Sequence, residues 1–115
     1  MSWADDDIRL RHMLDAAREA LAFSRNRKRE DLDADRVLTL ALVKCIEIVG
    51  EAGARVAAAT RAANPLVPWT QIVGMRHHLV HVYFDIDLDR LWATVTDDLP
   101  PLVAALERIL SRPTG

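Results

Sequence analysis

Hydrophobic residues recur along most of this chain at intervals of three and four positions, the spacing that is typical of α-helices. Strong helix formers dominate the sequence, and runs of alternating β-branched residues are few. The pattern predicts four main helices, over about 5–25, from about 33–35 to 63, from about 68–69 onward, and over about 87–111. The first helix has a broad apolar face made of Ile8, Leu10, Leu14, Ala17, Leu21 and Phe23.

Local signals mark the ends of these helices. We expect an aspartate among residues 33–35 to cap the second helix and one in the turn at 84–90 to cap the fourth. The segment NPLVPW at 64–69 ends the second helix, because its two prolines cannot continue it. The proline pair at 100–101 must kink or divide the fourth helix. The predicted fold class is therefore all-α, an antiparallel bundle of four to five helices.

The length and composition are those of one small globular domain, which we expect to span residues 1–115. No apolar run approaches the roughly 18–20 residues that span a bilayer, and the acidic start MSWADDDIRL does not resemble a signal peptide. The single cysteine, Cys45, permits no intrachain disulfide and argues against a cysteine-based zinc site. We expect a cytoplasmic protein that does not associate with a membrane.

The net charge of −2 limits how this chain can contact nucleic acid. A protein that holds nucleic acid on a broad surface is usually strongly basic, so any such contact must be local or assembled from two subunits. The one basic run, RNRKR at 25–29, is followed at once by the acidic EDLDAD. We interpret this run as a solvated loop.

A charged stripe interrupts the apolar second helix. Its members, Lys44, Glu47, Glu51 and Arg55, are spaced by three, four and four positions and therefore share one side of the helix. One interpretation is a solvent-facing stripe with pairs such as Glu51 and Arg55. The other is that Glu47 or Glu51 faces the next helix and orients an arginine there, Arg76, through a carboxylate–guanidinium contact.

Titratable side chains concentrate in MRHHLVHVYF at 75–84, which contains three of the four histidines and the only tyrosine. His77 and His81 are four positions apart, as two zinc ligands on one helix face would be, and His78 could join them. A nearby carboxylate or cysteine motif that would complete a metal site is absent from the sequence, so we expect no metal and no cofactor. The isolated His12 is interpreted as structural.

The same cluster also suits cleavage of RNA without a metal. Such a reaction needs a cation that stabilises charge on the phosphorane, which Arg76 supplies, and a histidine that moves protons near neutral pH, which His81 supplies. Tyr83 could position the phosphate or assist the proton transfer. On one straight helix Arg76 and Tyr83 lie about 20° apart, but His81 lies about 140° from Arg76. Either the helix ends near His81, or two copies of the motif face each other in a dimer.

The spacing Arg76, four residues, His81, one residue, Tyr83 resembles the signature of the HEPN superfamily. The similarity extends along nearly the whole chain to the HepT-like family, through IVGEAGARV at 48–56, PWTQIVGMRHHLVHVYFDID at 68–87 and the final LPPLVAALERIL. This resemblance implies an all-helical homodimer with a cleft at its interface. It also implies a toxin that is a metal-independent endoribonuclease acting on RNA.

The resemblance further implies particular partners and residues. The expected partner is an antitoxin with a minimal nucleotidyltransferase (MNT) domain, which can transfer AMP onto the motif tyrosine, here Tyr83. Arg76, His81 and Tyr83 correspond to the family's functional residues, and Glu51 matches its glutamate. His77 stands where the family commonly has asparagine or another small polar residue, and we expect it to support Arg76. The alternative is a helical subunit without catalytic activity that binds a minimal nucleotidyltransferase.

Overall fold

The computed structural model describes residues 3–79 and 85–111, and for residues 3–5, Arg76 and His78 it describes the backbone alone. Within these ranges the chain forms seven α-helices and one π-helical segment. They are α1 (Trp3–Ser24), α2 (Asp31–Ala34), α3 (Arg36–Ala54), α4 (Ala58–Ala63), α5 (Trp69–Leu79), α6 (Leu88–Ala93), the π-helical segment Thr94–Asp98 and α7 (Leu99–Leu110). The predicted all-α class is confirmed. None of these helices combines the length and apolar character needed to cross a bilayer.

Asp35 begins α3 as the predicted N-cap. Its carboxylate accepts hydrogen bonds from the Leu38 backbone N–H at 3.0 Å and from the Arg27 guanidinium at 2.8 Å. The bond from Leu38, followed by that from Arg27, lowers the pKa of Asp35. The preceding stretch, which the sequence predicts as a break, contains the single helical turn α2, because Leu32 is buried there.

The prediction that the second helix continues to about residue 63 is wrong. α3 ends at Ala54, and the separate helix α4 follows after a turn. The Arg61 guanidinium donates to the carbonyl oxygens of Gly53 and Ala54, both at 2.9 Å. The last carbonyls of a helix have no partner within the helix, so Arg61 stabilises the point at which α3 ends.

A buried carboxylate of α1 also contacts the turn between α3 and α4. Asp6 is 6% exposed and accepts a hydrogen bond from the Ala57 backbone N–H at 3.1 Å and another from the Thr60 hydroxyl. These bonds favour the extended backbone of Ala57, whose ψ is 149°. The break therefore depends on a residue more than fifty positions away, which local helix propensity cannot reveal.

The core lies around α3. α1 and α5 contact α3, and α7 packs on α1. The inward faces share one continuous apolar cluster, whose fully buried members include Met13, Leu42, Ile46, Ile72, Leu79, Leu91, Leu99 and Leu106. Full burial of a side chain of this size contributes about 1.5–3 kcal/mol relative to leaving it exposed, so this cluster is the main stabilising element.

Two glycines bring α3 and α5 unusually close together. A Cβ atom added at Gly50 would lie 3.3 Å from the carbonyl oxygen of Ile72 and 3.5 Å from that of Val73. One added at Gly53 would lie 3.3 Å from Cγ2 of Ile72 and 3.4 Å from Cε of Met13. The backbone of α5 therefore rests almost directly on that of α3.

The last predicted helix divides, as its prolines require. Asp87 caps α6 as predicted, since its carboxylate accepts a hydrogen bond from the Arg90 backbone N–H at 3.0 Å. α6 passes into the π-helical segment, and the proline pair at 100–101 occupies the first turn of α7. Proline is tolerated there because the first N–H groups of a helix have no partner within the helix.

Two of the four basic residues in the run at 25–29 form ion pairs with acidic neighbours, and the other two, Arg25 and Lys28, are exposed, which fits the interpretation of a solvated loop. Its two half-buried arginines pair with four aspartates, Arg27 with Asp31 and Asp35, and Arg29 with Asp33 and Asp89. The bond to Asp89 measures 2.6 Å and ties this loop to the start of α6. These contacts reduce the positive charge that the run leaves free for binding a phosphate.

Replacing Gly50 with valine should destabilise the protein by about 1–3 kcal/mol, because the new side chain would overlap the backbone of α5. Ala54→Val at the exposed end of the same helix is the matched control and should change the free energy of unfolding by about 0.5 kcal/mol or less. Urea unfolding followed by circular dichroism measures both. Equal effects of the two variants would contradict the close contact between α3 and α5.

Candidate functional site

The helix α5 carries the first part of the histidine-rich motif, and its start is firmly placed. α5 begins at Trp69, as the sequence predicts. The Trp69 indole N–H donates to the carbonyl oxygen of Asn64 at 3.0 Å, and its backbone N–H donates to that of Val67 at 2.9 Å. The Trp69 side chain is itself buried, so the turn before α5 fixes where the motif helix starts and in which direction it runs.

The predicted site residues fall in three places. Arg76 lies in the last third of α5, and its neighbour His77 is exposed on that helix. Glu51 is exposed on α3. His81 and Tyr83 lie outside the described residues, so their positions relative to Arg76 stay a prediction. The structure thus places the helix that carries Arg76 beside α3.

The contact at Gly50 determines which residues of α3 and α5 lie beside each other along the two helix axes. Gly50 lies against the carbonyls of Ile72 and Val73, whereas Gly53, further along α3, lies against the side chain of Ile72, which points back towards the start of α5; we infer from these contacts that the two helices run antiparallel. Glu47 lies three residues, or about 4.5 Å, before Gly50 along α3, and Arg76 lies three residues after Val73 along α5. Glu47 is therefore level with Arg76.

The two candidate carboxylates of α3 differ in how they face α5. Glu47 lies about 60° around the helix from Gly50 and Glu51 about 100°. Glu47 is half-buried and Glu51 is exposed. Of the two, Glu47 is thus the one on the side of α3 that borders the motif helix, at the height of Arg76.

Three members of the charged stripe, Lys44, Glu51 and Arg55, are exposed, which fits the interpretation of a solvent-facing stripe for these positions. Arg55 lies just beyond the end of α3. Among the described residues, Glu51 and Arg55 do not form the ion pair that their spacing suggests.

Comparison with known proteins identifies the family. A sequence profile described as "Ribonuclease HepT-like" matches residues 13–109, which include the whole motif. The chain belongs to the HepT-like ribonuclease family. The resemblance noted from the sequence is therefore confirmed, and the four-helix pattern belongs to a HEPN-type fold.

Several relatives of this HepT-like chain carry matching names. A probable ribonuclease HepT from Thermococcus cleftensis is 34% identical over 80 residues, which cover 70% of this chain and 73% of the relative. A candidate RNase from Caldanaerobacter subterraneus is 37% identical over 83 residues, 72% of this chain and 74% of the relative. Another candidate RNase, from Methanocaldococcus jannaschii, is 31% identical over 107 residues, which cover 93% of this chain and 98% of the relative. No solved structure matches significantly.

Other reactive groups of this HepT-like chain lie apart from the motif. In the ranges that the structure describes, no three histidine, cysteine or acidic side chains come together as metal ligands would. Cys45 is buried in the core, and burial raises the pKa of its thiol to about 11. A thiol with this pKa is not a nucleophile at neutral pH. His12 is exposed on α1.

The opposite side of α5 borders an acidic cleft that the sequence pattern does not predict. Gln71 and Met75 line it from α5, and Arg90, Asp97 and Asp98 line it from α6 and the π-helical segment. Burial, together with the nearby charge of Asp97, raises the pKa of Asp98. Because acidic groups outnumber the one arginine, this cleft is a poor place for an RNA phosphate.

Proposed function

We propose that this chain is a metal-independent endoribonuclease and the toxin of a HEPN/MNT toxin–antitoxin system. The observation that carries the proposal is the family match over residues 13–109, which spans the arginine, histidine and tyrosine at the spacing of the HEPN signature. The names of its relatives as ribonucleases point to the same reaction class. The expected location is the cytoplasm, where RNA and such a partner meet.

In the proposed reaction, Arg76, His81 and Tyr83 act on one phosphodiester. A ribose 2′-hydroxyl attacks the adjacent phosphorus, the bond to the 5′-oxygen breaks, and a proton moves from the first oxygen to the second. Arg76 stabilises the negative charge of the phosphorane through its planar fork of N–H donors. His81 transfers the proton, and Tyr83 positions the phosphate. No metal ion is needed for these steps.

The proposed site forms between two copies of the chain. A single straight helix directs Arg76 and His81 about 140° apart, so one copy cannot easily aim both at one phosphate. A cleft on a two-fold axis gathers two Arg76 side chains and concentrates positive charge locally. This arrangement reconciles RNA binding with a net charge of −2.

We further propose that a carboxylate of α3 orients Arg76 and that His77 supports it. The sequence favours Glu51 because it matches the family's glutamate, whereas the packing of α3 on α5 favours Glu47. Glu47 is half-buried, borders α5 and is level with Arg76, whereas Glu51 is exposed. A carboxylate in that position would fix the guanidinium before the substrate arrives.

Control of the toxin is proposed to act at Tyr83. An MNT antitoxin would transfer AMP from ATP to the tyrosine hydroxyl, forming a phosphodiester bond at the phenolic oxygen and releasing pyrophosphate. The added group carries bulk and negative charge. It would occupy the place of the RNA phosphate and repel the substrate.

Arg76→Ala and His81→Ala should each lower the rate of cleavage of labelled RNA by about 100-fold or more, with no change on adding EDTA. His12→Ala is the matched control, because His12 is exposed on α1 and should retain full activity. Circular dichroism confirms that each variant is folded. A purified dimer that binds a nucleotidyltransferase but cuts no RNA would instead support the role of a binding subunit without catalytic activity.

Glu47→Gln should lower kcat/KM for RNA cleavage by about tenfold or more, since a hydrogen bond to a charged group contributes about 1.5–3 kcal/mol. Glu51→Gln is the matched control on the same helix and should change kcat/KM by about threefold or less. Glu47→Asp should recover part of the loss if the carboxylate acts through charge. A larger loss for Glu51→Gln than for Glu47→Gln would assign the role to Glu51 instead.

Co-expression with the cognate nucleotidyltransferase should increase the intact mass of the chain by whole AMP units and abolish RNA cleavage. Tyr83→Phe should stay unmodified, because Tyr83 is the only tyrosine in the chain. Intact-mass spectrometry of the wild type and of Tyr83→Phe, each expressed with and without the nucleotidyltransferase, measures the modification. Modification of Tyr83→Phe at the wild-type level would exclude Tyr83 as the acceptor.

A further inference from the structure

A groove runs along the side of the bundle between α5 and α7. The link before α5 and the first turns of α5 form one wall, and α6, the π-helical segment and α7 form the other. Three adjoining cavities make the groove continuous, because the first two share Leu66, Val67 and Ala105 and the last two share Met75 and Asp98. The last cavity is the acidic cleft described above. We call the whole depression the α5/α7 groove.

The lining of the α5/α7 groove is largely apolar. Its first cavity, of about 400 Å³, is bounded by Pro65, Leu66, Ala105 and Ile109. Leu66 is 90% exposed at the rim, and the exposed Pro101 continues the apolar wall into the second cavity. An exposed leucine beside a concave apolar surface is typical of a site that binds another molecule.

The link that carries Leu66 is held in place by hydrogen bonds. The backbone N–H of Val67 and the indole N–H of Trp69 both donate to the carbonyl oxygen of Asn64, at 3.2 and 3.0 Å. The side-chain amide of Asn64 donates in turn to the carbonyl oxygen of Thr60 at 2.8 Å. A proline on either side restricts the backbone further. Leu66 is therefore presented before any partner arrives, which lowers the entropic cost of binding.

The two ends of the α5/α7 groove carry opposite charge. Arg108 lines the first cavity, whereas Asp97 and Asp98 line the acidic cleft together with Arg90. Asp98 and Arg108 are ten residues, or about 15 Å, apart along α7. Within the described ranges, Arg108, Asp97 and Asp98 form no ion pair. A cation supplied by a partner would therefore relieve the repulsion between the two aspartates.

Shape and charge together indicate what kind of molecule fits the groove. The acidic end repels an RNA phosphate. Two concave grooves cannot fill one another, and a groove that binds a different face of the next copy builds an open chain instead of a closed dimer. A segment of another protein fits better, with apolar side chains in the middle, an acidic group near Arg108 and a lysine or arginine near Asp97.

The acidic end of the groove lies beside the chain segments that flank the motif tyrosine. The Asp87 backbone N–H donates to the carbonyl oxygen of Leu79 at 2.8 Å, so the stretch that contains Tyr83 starts and ends at the same place. Met75, one turn before Leu79, and Arg90, one turn after Asp87, both line the acidic cleft. A protein anchored in the groove is thus close to both ends of that stretch.

We propose that the α5/α7 groove is the docking site of the nucleotidyltransferase partner. The partner seats a short apolar segment there, with a basic side chain at Asp97 and an acidic group at Arg108. This inference rests on the proposed function for the identity of the partner, because an enzyme that modifies Tyr83 must be held near the ends of the stretch that contains it. Docking in the groove uses no residue proposed to act on RNA.

The test measures binding of the purified cognate nucleotidyltransferase by isothermal titration calorimetry, without ATP, so that binding is separated from AMP transfer. Leu66→Asp, Asp97→Lys and Arg108→Glu should each raise the Kd by about tenfold or more. The effect of Asp97→Lys should shrink at high salt, which screens exposed charges, whereas that of Leu66→Asp should persist. Ile8→Asp and Asp15→Lys are the matched controls at exposed positions of α1, off the groove, and should change the Kd by about threefold or less.

The inference is overturned if the three groove variants bind the nucleotidyltransferase like wild type, if the controls lose as much affinity, or if the wild type does not bind it. A changed oligomeric state of Leu66→Asp in sedimentation velocity would assign the groove to a second copy and overturn the inference. Weaker RNA binding by Arg108→Glu would assign it to RNA and overturn it as well. Circular dichroism shows that each variant is folded, as expected for substitutions at exposed positions.

RNA cleavage by the same proteins separates this inference from the proposed function. Groove variants that cut RNA like wild type, but are no longer inhibited by the nucleotidyltransferase and ATP, support both. Loss of binding by the groove variants, with no cleavage by any protein, supports the docking site and overturns the ribonuclease proposal. Cleavage by the wild type, with partner binding that the groove variants leave unchanged, overturns the docking site and leaves the ribonuclease proposal standing.

Discussion

The close contact between the backbones of α3 and α5 is the constraint on which the rest of this structure depends. Gly50 and Gly53 permit it, because any larger side chain at Gly50 would meet the carbonyl oxygens of α5. Packing at this distance fixes the height and rotation of the helix that carries Arg76. It also determines which side of α3 borders the motif helix. A motif that is short in sequence thereby acquires a defined neighbour from elsewhere in the chain.

The sequence predicts the start of a helix well where residues within a few positions determine it. Asp35 and Asp87 cap helices as expected, and α5 begins at Trp69, because capping residues and prolines act within a few positions. The end of α3 at Ala54 was missed. The residues after it favour a helix, and only Arg61 and the distant Asp6 break it. Contacts of that range cannot be obtained from local propensity.

The candidate site was predictable to a similar extent. Spacing and family resemblance identify Arg76, His81 and Tyr83 from the sequence, and spacing alone places Glu47 and Glu51 on one side of α3. Spacing cannot distinguish those two carboxylates, since they are one turn apart. The distinction comes from the rotation of α3 against α5, which depends on packing. The acidic cleft beyond α5 was likewise invisible, because its lining residues come from distant segments.

The packing of α7 on α1 affects how such a protein is made. Helices from opposite ends of the fold cover one another, and Arg18 of α1 pairs with Glu107 of α7 at 2.6 Å. The part of α1 that α7 covers therefore stays exposed on a ribosome until α7 has emerged. When the arginine and histidine of the motif have been synthesised, the bundle still lacks α7. For a member of a ribonuclease family that is synthesised beside ribosomal RNA, this order of assembly delays the folded form until translation has passed α7.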